Sequence, residues 1–190
     1  MNTPTYSAAI LAGGKSTRFG SDKGLELFRG KPLVMRVLDV FKPLKIPIFI
    51  VSDNPDYQNF DAPIVKDEFK SIGPLGGLYS ALQYSTTSHC FCVACDMPFL
   101  DVRLFQKMMD FAEFEAVIPV FKGRPQPLAG CYQKSALPAI EQQISQGEYK
   151  MTNAIEHLHH HWLDVDENCE FYDSQLFANI NTREEWKRHQ

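Results

Sequence analysis

A chain of 190 residues, 44% hydrophobic and 22% charged, is long enough to bury a full core, so one domain over residues 1–190 is expected. Its formal charge of -4 at pH 7 argues against a nucleic-acid partner, because duplex binding needs clustered cations to displace counterions. No stretch approaches the roughly 20 apolar residues of a membrane span, and Met1 to Ser7 lacks the basic start and apolar run of a signal peptide, so a cytoplasmic protein is expected.

In chain order, apolar runs at Ala8 to Ala12, Ile46 to Val51, Cys90 to Cys95 and Ala116 to Val120 read as strands. The segments between them have helical spacing, which is the βαβ pattern of a mostly parallel sheet. Pro32 suits a first helical position, after which Leu33, Val34, Val37, Leu38 and Phe41 form one apolar stripe before Pro43 stops the helix. A second helix is expected after Gly76 and Gly77, with Leu78, Ala81 and Leu82 facing the sheet, and a third carries Leu104, Phe105, Met108 and Met109. Lys122 to Pro127 reads as a loop or hairpin. Leu137, Ile140 and Ile144 then mark another helix, followed by a strand near His161 to Val165 and a short helix from Arg183.

The five cysteines do not suggest a disulfide framework. Cys92 and Cys95 spell C-x-x-C, but the period of two in a buried strand sends them to opposite faces. His157, His159, His160 and His161 invite a metal reading, yet only a helix reaching His161 would align His157 with it, and His161 to Val165 reads better as strand.

An open parallel sheet binds ligands at the carboxyl ends of its strands, so chemistry is sought just after Ala12, Val51 and Cys95. After Ala12, the glycines Gly13, Gly14, Gly20 and Gly24 let the backbone bend so that its N–H groups converge on phosphate oxygens, and Lys15, Arg18 and Lys23 add positive charge. A triphosphate needs both features. A P-loop fits poorly, since Ile10 to Ala12 would lie inside its phosphate cradle and a loop stands where its helix is due at Ser16. Asp96 directly follows the most hydrophobic strand, so its carboxylate is held at the sheet edge and suits a magnesium ion, with manganese as a substitute. The competing reading of Asp96 is a helix cap near Met97 and Pro98.

The run Leu11-Ala12-Gly13-Gly14-x-Ser16-x-Arg18-x-Gly20-x-Asp22-Lys23 resembles the signature of molybdenum cofactor guanylyltransferases. LAGG and Asp-Lys favour this branch over cytidylyl relatives, which tend to have LAAG and Pro-Lys. The resemblance continues in Asp67 with Gly73-Pro74-Leu75-x-Gly77, Cys95-Asp96-Met97-Pro98-Phe99, Pro125-Gln126-Pro127-Leu128 and Asn179-Ile180-Asn181-Thr182. Arg183 departs from it, standing where the family usually has proline. At Asp53 and Asn54, either residue could take the place of the family's base-proximal asparagine.

The resemblance implies a single-domain, three-layer α/β/α Rossmann-like nucleotidyltransferase fold, nucleotide-binding in its N-terminal part and pterin-binding in its C-terminal part. It implies transfer of GMP from GTP to molybdopterin, with transient contacts to cofactor-donating and molybdoenzyme-maturation proteins. Lys23, Arg18 and Asp96 would be catalytic, with Asp96 as the metal ligand. Leu11, Ala12, Gly13, Gly14, Lys23, Asp53, Asn54, Asp67, Gly77 and Asp96 would hold the nucleotide, and Arg124, Gln126, Asn179 and Asn181 the acceptor. A relative using CTP or a sugar phosphate, and a nucleotide-binding homologue without activity, are the alternatives.

Overall fold

The computed structural model describes residues 5–13, 22–69 and 71–180. In chain order its elements are β1 (Tyr6–Leu11), β2 (Leu27–Phe28), β3 (Lys31–Pro32), α1 (Leu33–Phe41), β4 (Ile48–Val51), β5 (Ile64–Val65), α2 (Pro74–Tyr84), β6 (His89–Ala94), α3 (Val102–Met108), β7 (Ala116–Phe121), β8 (Arg124–Pro125), β9 (Ala129–Gln133), α4 (Leu137–Ser145), α5 (Met151–Glu156) and β10 (His160–Val165). The main sheet runs β10-β7-β9-β6-β1-β4-β5, with β8 paired to β7. β1 is parallel to both β6 and β4, β4 to β5, and β7 to β10. β9 runs antiparallel to both of its neighbours, β6 and β7, so the sheet is mixed but mostly parallel.

Alternation along the strands sends side chains to two cores. Ala8 and Ile10 of β1, with Phe91 and Val93 of β6, pack on one face against Val34, Val37 and Phe41 of α1 and Leu104 and Phe105 of α3. Ala9, Leu11, Cys90 and Cys92 face the other side, against Leu78 and Leu82 of α2, Ile140 of α4 and Ile155 of α5. The result is the expected α/β/α sandwich. Cys92 lies in the second core while Cys95 packs against the first, so the C-x-x-C pair is split across the sheet as its spacing requires.

Several boundaries depart from the sequence reading. β4 starts at Ile48 rather than Ile46, because Pro47 has no N–H to give a ladder, although its carbonyl accepts from Ala8 N at 2.9 Å. Pro32 closes a short hairpin and takes the cap position of α1, not its first turn. That hairpin turns at Arg29 and Gly30, with φ of 50° and 74°, the two positive values of a type I′ turn. α2 begins before Gly76 and Gly77, with Pro74 in the first turn and Gly73 at φ 78° ahead of it. α3 ends at Met108, and Met109 opens a 3-10 turn. The helix expected from Arg183 lies outside the described residues. No helix among them is long and apolar enough to cross a membrane.

Candidate active site

The ends of β1 and β6 are register neighbours, Leu11 opposite Ala94. From β1 the chain moves outward to β4 and β5, then crosses back to β6 on the far side of β1. Loops leaving such a reversal part from each other and leave a crevice at the carboxyl ends of the strands. Two segments named by the sequence emerge here, Ala12–Gly13 and Cys95–Asp96.

Leu11 and Ala12 are buried, and their polar backbone is largely engaged by the sheet edge. The Leu11 carbonyl accepts from Cys95 N at 3.2 Å, Ala12 N donates to the Val51 carbonyl at 2.9 Å, and the Ala12 carbonyl accepts from the Ser52 hydroxyl at 2.9 Å. These two residues build the rim. Gly13 is the first to leave it, exposed and with open space where a side chain would stand. Gly14 and Arg18 lie outside the described residues.

Lys23 stands at the crevice beside Asp96. Its Nζ lies 2.5 Å from Asp96 Oδ2, with the side chains 11% and 18% exposed. The other carboxylate oxygen, Oδ1, is buried and has no hydrogen-bond partner among the described residues. Such an atom is costly unless something fills its lone pairs. Asp96 caps no described helix, since residues 95–100 are turns and irregular chain and the cap of α3 is Asp101, whose carboxylate accepts from Arg103 N at 2.8 Å.

Asp22, the neighbour of Lys23, is held by three donors. Tyr57 donates its hydroxyl to Oδ1 at 2.5 Å, Asn54 its amide nitrogen to Oδ2 at 2.8 Å, and Gly24 its N–H to Oδ1 at 3.1 Å. Burial, reinforced by Cys95 and Asp22, holds the Tyr57 phenol far above its ordinary value, so it remains a donor. Burial, with Asp96 and Asp22 nearby, likewise pushes the Cys95 thiol up and keeps it a neutral packing group. Gly24 is required between them, because a Cβ there would run into the Tyr57 hydroxyl and stand 3.2 Å from Cys95 Sγ.

The Asn54 amide is occupied at both ends, since its Oδ1 also accepts from Asp56 N at 3.0 Å. Asp53 beside it is exposed. Asp67, just beyond β5, accepts from Phe69 N at 3.0 Å and from the Ser80 hydroxyl at 3.2 Å, which ties it to α2. Gly77 is buried in α2 with Leu11 at 3.5 Å from an added Cβ, whereas at Gly76 such a Cβ would come within 2.7 Å of the Phe69 carbonyl oxygen. Gly76 is thus the glycine that packing demands.

The described residues that the sequence reading assigned to an acceptor are spread along the same edge. Arg124 is exposed in β8, and Gln126 donates its amide to the Arg124 carbonyl at 3.1 Å. Asn179 sits next to Asp96, because Ile180 N donates to the Asp96 carbonyl at 3.2 Å, and its Oδ1 is buried without a hydrogen-bond partner among the described residues. Asn181 lies outside the described residues. The histidines form no shared helical face: α5 ends at Glu156, His161 stacks on Phe111 at 4.0 Å, and His159 on Phe114 at 4.5 Å.

Sequence reasoning gave no role to Ser52 or Tyr57, and it used Asp22 only as part of the family signature, not as a site residue. The faint signal for Tyr57 was a tyrosine amid the polar run Ser52 to Asn59, directly after a strand that ends at the crevice.

A mostly parallel sheet with a lysine–aspartate pair at its reversal point, together with the family match and relatives that follow, makes this protein a nucleotidyltransferase of the α/β class. The family model described as the MobA-like NTP transferase domain matches residues 8–162, and the chain belongs to that family. It is 33% identical over 183 residues to the probable molybdenum cofactor guanylyltransferase of Flavobacterium johnsoniae, covering 95% of this chain and 94% of that one. Against the molybdenum cofactor guanylyltransferase of Syntrophotalea carbinolica the identity is 29%, over 96% and 89% of the two chains. The crystal structure of molybdopterin-guanine dinucleotide biosynthesis protein A from Archaeoglobus fulgidus superposes with a TM-score of 0.82 at 28% identity, covering 96% of each chain.

Proposed function

We propose that this protein transfers GMP from GTP to the terminal phosphate of molybdopterin, releasing pyrophosphate. An acceptor phosphate oxygen forms a bond to the α-phosphorus, the bond from that phosphorus to the bridging oxygen breaks, and pyrophosphate leaves with that oxygen. No covalent enzyme intermediate is required, and positioning and electrostatics carry the catalysis. The observation that carries this reading is the buried, unpartnered Asp96 Oδ1 beside the Lys23 ammonium at the crevice. The names of the relatives direct it to GTP and molybdopterin.

A magnesium ion fits the donor set. It is commonly held by one or two carboxylates together with substrate phosphates, and Asp96 offers one hard oxygen that has no partner among the described residues. Bound there, magnesium or manganese would supply positive charge at the α-phosphate.

Lys23 neutralises the triphosphate, with Gly13 leading the backbone toward it; Gly14 and Arg18 carry the same expectation. Asp53 and Asp67 lie on the guanosine side, with Asn54 holding the loop through Asp22 and Gly77 seating α2 against β1. Asn179 lines the acceptor side next to Asp96, and Arg124 and Gln126, with Asn181, extend that side toward the pterin. The N-terminal part of the domain thus serves the nucleotide and the C-terminal part the acceptor. The reading carries with it a cytoplasmic setting and transient contact with proteins that deliver and receive the cofactor.

Pyrophosphate release tests the reading, measured with GTP or CTP in the presence and absence of molybdopterin. Release that requires both GTP and molybdopterin is expected. Preference for CTP, or release independent of the acceptor, would overturn it.

A further inference from the structure

Lys23 meets Asp96 at the crevice, and the direction of its side chain depends on how the short turn that carries it is held. It opens a 3-10 turn of three residues, Lys23–Leu25, capped by the side chain of Asp22. That cap is anchored from the loop after β4. The Tyr57 hydroxyl and the Asn54 amide reach it across 35 and 32 residues of chain, and Tyr57 is fully buried. A hydroxyl donating to a carboxylate at 2.5 Å is a short, charge-assisted bond. The absence of a side chain at Gly24 is what lets the phenol approach.

Resting on the proposed function, we infer that Tyr57 is a positioning residue for transfer, which fixes the Asp22 carboxylate and through it the direction of Lys23 toward Asp96 and the triphosphate. The loop bearing Asp53 and the lysine that meets the phosphates are then parts of one hydrogen-bonded unit.

Tyr57→Phe removes the hydroxyl and keeps the ring in its pocket. Expected is a fall in kcat of about tenfold with KM for GTP changed by less than about threefold, because a misaimed cation loses preorganisation at the transition state. In a Lys23→Met background the same substitution should change kcat by less than about twofold, since groups acting through one another are not additive. Equal losses in both backgrounds, or no loss in either, would overturn the inference.

A second readout does not depend on transfer. In lysine-labelled protein the Lys23 Nζ resonance should move on Tyr57→Phe, and an unmoved resonance counts against the relay even if GTP is not the substrate. Conversely, a wild-type protein that releases no pyrophosphate while the resonance moves removes the functional reading and keeps the relay. Should Tyr57→Phe fail to fold, Asp22→Asn enters the same cycle with the same expectations.

Discussion

Lys23 Nζ and Asp96 Oδ2 meet across 73 residues of chain at 2.5 Å, and the pair is screened from most of the solvent. Removing one partner from such a pair leaves the other charge shielded and uncompensated. Asp96→Ala is therefore expected to lower turnover by at least roughly 100-fold, the scale of losing one preorganised electrostatic group. Lys23→Ala should also destabilise the fold by on the order of 2 kcal/mol, below the range for fully buried pairs because both side chains keep some exposure. Steady-state pyrophosphate release and urea unfolding of the two variants check these outcomes, and near-normal turnover in Asp96→Ala would sink its place as metal ligand.

Gly76 and Gly77 are neighbours with opposite tolerances. A methyl at Gly76 meets the Phe69 carbonyl oxygen at 2.7 Å and the Asp67 carboxylate at 3.0 Å, whereas one at Gly77 rests against Leu11 at ordinary distance. Gly76→Ala should cost about 1–3 kcal/mol through forced backbone shifts, and Gly77→Ala well under 1 kcal/mol. Thermal melting separates the two. If Gly77→Ala melts normally but binds GTP tenfold more weakly by calorimetry, the glycine serves the nucleotide directly; unchanged binding confines it to helix packing.

Four strands, β1, β4, β6 and β7, were legible because they are largely buried on both faces and so appear as unbroken apolar runs, whereas the two-residue β5 was too short to show. β9 was not, since a strand carries no mark of its direction and its reversal depends on the tight return through β8. Asp96 and Lys23 could be named from motif and position alone: one follows the most apolar strand, the other ends a glycine-rich loop. Tyr57 could not, because its value lies in a bond to Asp22 that exists only after β1 and β4 have paired. The same pairing turns Asn54 inward, a fact that no spacing in the chain announces.

Asp101 offers a stability change remote from Lys23. It caps α3 by accepting from Arg103 N at 2.8 Å, and its carboxylate also takes Arg103 Nη2 at 2.6 Å. That side-chain bond, aided by the backbone N–H, holds its carboxyl below the usual range against the opposing effect of partial burial. Asp101→Ala should cost about 1 kcal/mol, as loss of a helix cap does. Part of that cost should disappear at acid pH: a carboxyl with lowered pKa contributes stability above its unfolded value and loses it as pH falls through the folded one. Urea midpoints of the two proteins at pH 7 and pH 3 measure this, and a gap that does not narrow would contradict it.

His89 gives the opposite group with the same sign of pH dependence. Its ring is buried at the start of β6, with Nε2 2.9 Å from the Ala112 carbonyl and Nδ1 3.0 Å from the Ser88 hydroxyl. Burial pushes its pKa down, and the bond to the Ala112 carbonyl only partly opposes that. Below the unfolded value of about 6.5 the unfolded chain therefore takes up a proton that the native ring does not, so stability rises with pH through that window and levels off above it. The melting temperature should fall between pH 7 and pH 5. In His89→Gln, which can still donate toward the Ala112 carbonyl without titrating, the fall should be smaller. Taking the difference between the two proteins at each pH cancels the carboxylates common to both, so a difference that stays constant from pH 5 to pH 7 would rule out His89 as a contributor to acid sensitivity.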